Sequence, residues 1–256
     1  MKQNKSSISQ IKVAALIPAR YQSERFPGKL MKDLAGQTVI WRTYDAARQS
    51  GLFDQVFVVT DHHLIYDEIM NHGGQAFISQ REHHTGTDRI AEVASKIDAD
   101  IIINIQGDEP FINRTALRDL IHVFEADTLK QIEIASLMIK LKHKNDFLNP
   151  NNVKVVTDLN GFALYFSRAP IPYSRDKVFQ TAYKHIGVYA FRKTALEAIA
   201  QMPQTDLEHI EKLENLRFLQ NGLRLKMVET NEVNFGIDTE ADLQEAEVYL
   251  KQQNYE

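Results

Sequence analysis

Cysteine is absent from all 256 residues. That removes a disulfide framework, a thiolate nucleophile and Cys-ligated zinc, and it suits a reducing compartment. No apolar run approaches the roughly 20 residues of a membrane span. The polar stretch "MKQNKSSISQ" has no hydrophobic centre of the secretory type and reads as a frayed tail over residues 1–12. A cytoplasmic protein is the expectation. A basic excess is lacking too. With 30 basic and 34 acidic residues the formal charge is −4, which argues against non-specific nucleic-acid binding and a nucleic-acid partner. Neither a Gly-Lys-Ser/Thr loop nor G-x-G-x-x-G occurs. There is no internal repeat, no low-complexity linker and no clean domain boundary.

Hydrophobic residues make up 43% of the chain, enough for one sizeable core. Their pattern alternates. Val13–Pro18, "QVFVVTD", "QAFIS" and "DIIINIQGDEP" are apolar runs of strand type. Between them lie helical patterns: Thr38 to Gly51 with a glycine stop, "LIYDEIMNHGG", "TDRIAEVASKI" and "TALRDLIHVFEAD". Strands apolar on both faces and separated by helices predict an α/β fold with a mainly parallel sheet. Such sheets bind ligands beyond the carboxyl ends of their strands, where strand order reverses. After Asp127 the rhythm changes. "IEIASLMIKL", "VKVVTD", "FALYFSR" and "HIGVYAF" follow with little helix between them, so residues 130–192 are expected to add antiparallel strands or a small β-rich subdomain. A capping-box helix, Thr205 to Gly222, a strand "RLKMVET" and a closing helix "TEADLQEAEVYLKQ" complete the chain.

The first strand runs into "LIPARYQSERFPGK", which puts Arg20, Arg25 and Lys29 on one loop with Ser23 and Gly28. A glycine-containing strand-to-helix loop lets backbone N–H groups and cations surround phosphate. A solvated basic loop is the equal alternative on spacing alone. Asp108, after a strand and a Gly turn, and Asp238, in "NFGIDTEAD", are two further candidates. As turn former and helix cap they need no function. Together with phosphate and water they have the donor chemistry of a Mg²⁺ site.

The set "LIPARYQSERFPGK", "VVTD", "TGTDRIAE", "INIQGDEPFI", "NPNNVKVV", "ALYFSRAPIPY", "YKHIGVYAFR", "LEHIEKLENLR" and "GIDTEADL" resembles the 3-deoxy-manno-octulosonate cytidylyltransferases, the CMP-KDO synthetases, over about Val13 to Gln252. The resemblance implies a Rossmann-like nucleotidyltransferase domain over residues 13–256, with a smaller β-rich part used in homodimerisation. It implies CTP and 3-deoxy-D-manno-octulosonate (KDO) as substrates, CMP-KDO for lipopolysaccharide synthesis and pyrophosphate as products, and Mg²⁺ as cofactor. Residue by residue, it assigns Arg20, Ser23, Arg25 and Lys29 to the triphosphate, and Gly86, Thr87 and Arg89 to cytosine and ribose. Gln106 falls between nucleotide and sugar, Asp108 and Asp238 on the metal, and Arg168, His185, Tyr189, Glu214 and Asn215 on the sugar acid. Lys29, Arg20 and Asp108 form the implied catalytic set. Three departures stand out: Leu30 and Met31 follow Lys29 where the family has Pro-Leu, "GQTVI" replaces Gly-Lys-Pro-Met-Ile, and Asn215 replaces a glutamine. A related acid (an 8-amino analogue or a sialic acid) as substrate, or a non-catalytic nucleotide-binding relative, are the alternatives.

Overall fold

In the computed structural model, which describes residues 11–23, 26–176, 181–231 and 236–253, the apolar run Val13–Ala19 forms strand β1 with every residue buried. Its side chains alternate between two cores. Val13, Ala15, Ile17 and Ala19 face one; Ala14 and Leu16 face the other. That is why the run has no polar position: a strand covered on both sides has no wet face.

A 3₁₀ turn, Lys29–Met31, follows, then a small antiparallel hairpin of β2 (Asp33–Leu34) and β3 (Gln37–Thr38). Helix α1 (Val39–Gln49) starts on Thr38, whose hydroxyl accepts from Trp41 N–H. Next come β4 (Gln55–Thr60), α2 (His63–Asn71), β5 (Ala76–Ile78), α3 (Gly86–Ala91), β6 (Ile101–Asn104) and α4 (Arg114–Ala126). The second half holds β7 (Ile134–Lys140), α5 (Lys144–Leu148), β8 (Lys154–Thr157), β9 (Ala163–Ser167), β10 (Tyr183–Arg192), α6 (Lys193–Ile199), α7 (Asp206–Glu211), α8 (Glu214–Gln220), β11 (Leu225–Glu229) and α9 (Glu240–Gln253).

The main sheet runs β11-β7-β10-β6-β1-β4-β5. β1 pairs in parallel with both β4 and β6, and β7 with β11. Strand β10 is antiparallel to β6 and β7. The expected α/β architecture with a mainly parallel sheet is therefore present. Of the stretch 130–192, β7 and β10 lie inside this sheet, while β8 and β9 form an antiparallel arm paired to the first residues of β10. Residues from α1, α2, α4 and α9 fill the core on one face; α3, α6 and α8 fill the other.

Two expected helices are shorter than their sequence pattern. The segment Thr87–Ile97 is α3 followed by a separate 3₁₀ turn, Ala94–Lys96. The segment Thr205–Gly222 breaks at Lys212, which takes φ 55°, ψ 47° and so ends α7 before α8 begins. Among the described residues no helix is long and apolar enough to cross a membrane.

Candidate active site

Strand order reverses between β1 and β6, because the chain runs outward from β1 to β4 and β5 and then returns to the other side of β1. Beyond the carboxyl ends of these two strands lies a cavity of about 790 Å³, in the size range of small-molecule sites. Its wall includes Arg20, Ser23, Lys29, Gly86, Arg89, Gln106 and Asp108. Seven candidates that are up to 88 positions apart in sequence thus meet at one rim. Arg25 lies outside the described residues.

The loop is built to hold Lys29 inward. Gly28 takes φ 66°, a conformation open to glycine, and starts the 3₁₀ turn. Leu30, where the family has proline, is buried and packs under the β6 turn, 3.4 Å from where a side chain on Gly107 would begin. Lys29 Nζ donates to Asp108 Oδ2 and, at 3.0 Å, to Asp238 Oδ1. Burial pulls the ammonium's pKa down, but the two carboxylates outweigh it and leave it above its usual value. Asp108 and Asp238 are also joined through the backbone, since Ile237 N–H donates to the Asp108 carbonyl at 2.9 Å. Two hard carboxylate donors converging on one cation fit Mg²⁺, which completes its shell with phosphate and water.

The "TGTDR" run has a different arrangement from the one the resemblance implies. Gly86 and Arg89 reach the cavity wall, but Arg89 is buried and committed: its guanidinium donates to Ser79 Oγ and Asp61 Oδ2, both at 2.9 Å. Thr87 is fully buried and faces away toward β6 and α8. Its hydroxyl donates to Glu214 Oε1 at 2.9 Å and accepts from Asn104 Nδ2 at 3.3 Å. Gln106 Nε2 donates to Asn104 Oδ1 at 3.4 Å. A chain of polar groups therefore leads from the cavity into a second cluster.

That cluster contains His185, Tyr189, Glu214 and Asn215. The His185 ring lies 5.0 Å from Phe166 and 5.4 Å from Tyr189. Burial pushes its pKa down to about 3, so the imidazole is neutral. Ser136 Oγ sits near two acceptors, the Ile186 and Val188 carbonyls, and 2.8 Å from His185 Nε2. A hydroxyl has one proton to give, so it donates to a carbonyl and accepts from Nε2–H, which assigns the tautomer by its network. The irregularity of β10 between Ile186 and Tyr189 opens the ladder where Ser136 enters. Burial, with the charge of Glu214, pushes Tyr189 well above the usual phenol value. Glu214 is itself raised, chiefly by burial; the hydrogen bond from Thr87 pulls the other way. Glu214 Oε2 and Asn215 Oδ1 are enclosed with no hydrogen-bond partner among the described residues. Unpaired buried oxygens next to a neutral His and a phenol suit a ligand that brings its own hydroxyl donors.

Arg168 stands apart from both groups. Its Nε donates to the Glu211 carbonyl at 2.7 Å and its Nη1 to the Pro150 carbonyl at 3.2 Å. Its own carbonyl accepts from Lys154, a fully buried lysine that also caps the Asn149 and Asn152 carbonyls. Sequence reasoning missed Lys154, Asn104 and Ser136, all fully buried. It also missed His83, a cavity-wall residue clasped to Glu92 at 2.5 Å. The run "REHH" before "TGTDR" was the available signal for His83.

The cytidylyltransferase family model matches residues 14–228. A 3-deoxy-manno-octulosonate cytidylyltransferase of Christiangramia forsetii is 53% identical, covering 94% of this chain and 98% of that protein. Another, from Flavobacterium johnsoniae, is also 53% identical, over 94% of this chain and 99% of the relative. Among solved structures, a CMP:2-keto-3-deoxy-manno-octonic acid synthetase complexed with CTP aligns with TM-score 0.88 and 35% identity, over 94% of this chain and 99% of that one. Identity of this extent, end to end and on the same fold, places the chain in the cytidylyltransferase family, among the 3-deoxy-manno-octulosonate cytidylyltransferases.

Proposed function

We infer that this chain transfers CMP from CTP to KDO. The sugar's anomeric hydroxyl gives up its proton to solvent as its oxygen forms a bond to the α-phosphorus, the bond from that phosphorus to the bridging oxygen breaks, and pyrophosphate leaves with the electron pair. The observation that carries the reading is the cavity at the strand-order reversal, where Lys29, Asp108 and Asp238 meet beneath a loop bearing Arg20 and Ser23. Arg20, Ser23 and Lys29 bind and orient the triphosphate, and Lys29 neutralises charge that builds on the transferring phosphate. Asp108 and Asp238 hold Mg²⁺, which when bound polarises phosphate oxygens. Gln106 sits on the boundary between the two substrates. Glu214, Asn215, Tyr189 and neutral His185 take the sugar hydroxyls. Catalysis on this reading is positioning and charge stabilisation, with no covalent step on the protein.

A homodimer and a cytoplasmic location complete the proposal. Exposed Leu159 and Leu164 on and beside the β8–β9 arm support a self-association surface there; light scattering at micromolar concentration tests it.

The deciding experiment is pyrophosphate release from CTP and Mg²⁺ with KDO, with an 8-amino analogue, with a sialic acid and with no acid. Release that depends on KDO is expected, and Lys29→Ala should lower kcat by about tenfold to a thousandfold. A folded protein with no sugar-dependent release overturns the reading. Preference for another acid moves the substrate assignment and leaves the transfer.

A further inference from the structure

Lys29 is asked to do two things that exclude each other. As the phosphate-binding cation it must extend toward the triphosphate. In this structure its ammonium instead lies between the carboxylates that are to hold the metal, bonded to Asp108 and 3.0 Å from Asp238 Oδ1. A Mg²⁺ ion binds carboxylate oxygens at about 2.0–2.1 Å. An ammonium bonded to one oxygen of each carboxylate competes with the ion for the pair, and two cations on one pair repel.

The segments that carry the two carboxylates are held side by side. The Ile237 N–H to Asp108 carbonyl bond ties the two segments together at 2.9 Å. Asp108 is three-quarters buried at 25% side-chain exposure, and Lys29 is more so at 14%. Asp238 is more open, at 44%, and two carboxylates this close together favour a cation between them. The lysine backbone is equally fixed, by Gly28 at φ 66° on one side and buried Leu30 on the other. Only the flexible four-carbon stem is free to carry the ammonium from one partner to another.

We propose that Lys29 is a resident counter-cation of the Asp108–Asp238 pair, which keeps divalent metal out until a nucleoside triphosphate draws the ammonium away. Nucleotide and metal then bind with a positive coupling that Lys29 sets. The inference rests on the reading of this cavity as a metal–triphosphate site. It adds that the metal site is closed in the nucleotide-free protein and that one side chain closes it.

The test measures metal binding without nucleotide and without turnover. Free Mn²⁺ is followed by electron paramagnetic resonance while the protein is titrated, and melting temperature is recorded in chelator and in Mg²⁺. Lys29→Met removes the charge and keeps most of the stem. It should bind Mn²⁺ at least about tenfold more tightly than the parent protein, a change in the ordinary range of coupling between sites. Its melting temperature should rise with Mg²⁺, since the ion then supplies the missing charge, whereas the parent's should barely move. Lys29→Arg, which keeps a cation, should stay weak. Adding Asp238→Asn to Lys29→Met should abolish the tight binding and so locate it. A folded Lys29→Met protein that binds Mn²⁺ no better than the parent overturns the proposal, as does tight binding that survives Asp238→Asn. Should the parent protein fail the pyrophosphate assay while the Mn²⁺ pattern holds, the transfer reading falls and the counter-cation stands; the reverse pattern separates them the other way.

Discussion

Replacing Glu214 with glutamine should make the protein more stable and less able to use the sugar acid. Glu214 opens α8, and its two oxygens have unequal surroundings. Oε1 accepts from Thr87 at 2.9 Å, while Oε2 is enclosed without a partner among the described residues. Leaving such an atom unpaired costs about 1–3 kcal/mol. Burial has raised the carboxyl pKa above its ordinary 4.5, so the folded chain holds the proton more tightly than the unfolded chain. The sign follows. Below the ordinary value both states are protonated and this stabilising contribution is fully present; as pH rises through the raised value it is lost. Glutamine keeps an acceptor for Thr87 and never ionises, so a neutral unpaired N–H₂ takes the place of an unpaired buried charge, which costs more. Glu214→Gln should therefore gain about 1 kcal/mol at pH 8, or about 2–4 °C in melting temperature for a domain of this size. The gain should shrink toward pH 4.5. Melting curves of both proteins from pH 4.5 to 8 measure it, and KM for the sugar acid should rise well above that for CTP. A variant less stable at every pH, or a gap that does not change with pH, would refute the reasoning.

Gly107→Ala should cost about 1–3 kcal/mol, the usual range for overpacking. Its Cβ would stand 3.0 Å from the Pro18 carbonyl and 3.2 Å from Ile40 Cδ1. Because Asp108 is the next residue, the Mg²⁺ concentration for half-maximal activity should rise as well; denaturant titration and metal titration check the two effects. Arg168→Lys cannot reproduce the fork on the Glu211 and Pro150 carbonyls, and should lose about 1–3 kcal/mol of stability. If Arg168 also meets the sugar carboxylate, KM for the sugar acid will rise far more than for CTP, and an unchanged KM would leave it a purely structural residue.

The parallel half of the fold was legible because burial on both faces leaves a simple mark. β1, β4 and β6 read as unbroken apolar runs, and the helices between them carry caps and glycine stops. The break at Lys212 was hidden. Thr205–Gly222 keeps a helical pattern throughout, and only packing decides that the chain must turn there. The turn lets buried Glu208 stand 3.4 Å from Arg217 Nε while Glu214 points toward Thr87. One straight helix has no such freedom. Residues on the cavity rim were legible as strand-end residues, since the topology puts all such ends together. The contacts Arg168 makes here were not, because they go to backbone carbonyls. A carbonyl carries no side-chain signature, so nothing in the sequence announces that a guanidinium will be spent on one. Lys154 escaped for the same reason.

The same limit explains the "TGTDR" run. A motif of polar residues invites a ligand for each, yet three consecutive residues of a helix point in directions about 100° apart. They cannot all face one cavity. Here Thr87 holds Glu214, Asp88 holds Arg217 at 2.9 Å, and Arg89 holds Asp61, whose other oxygen accepts from Tyr21 N–H at 3.3 Å. Tyr21 belongs to the loop after β1, and Glu214 and Arg217 belong to α8. One turn of α3 thus grips the wall of the cavity on one side and the base of the second cluster on the other. In-line attack of a sugar oxygen on a phosphate requires the two substrates to be aligned within a fraction of an ångström. On the proposed assignment of the two substrates, a single turn bonded to both sides is placed to hold that alignment.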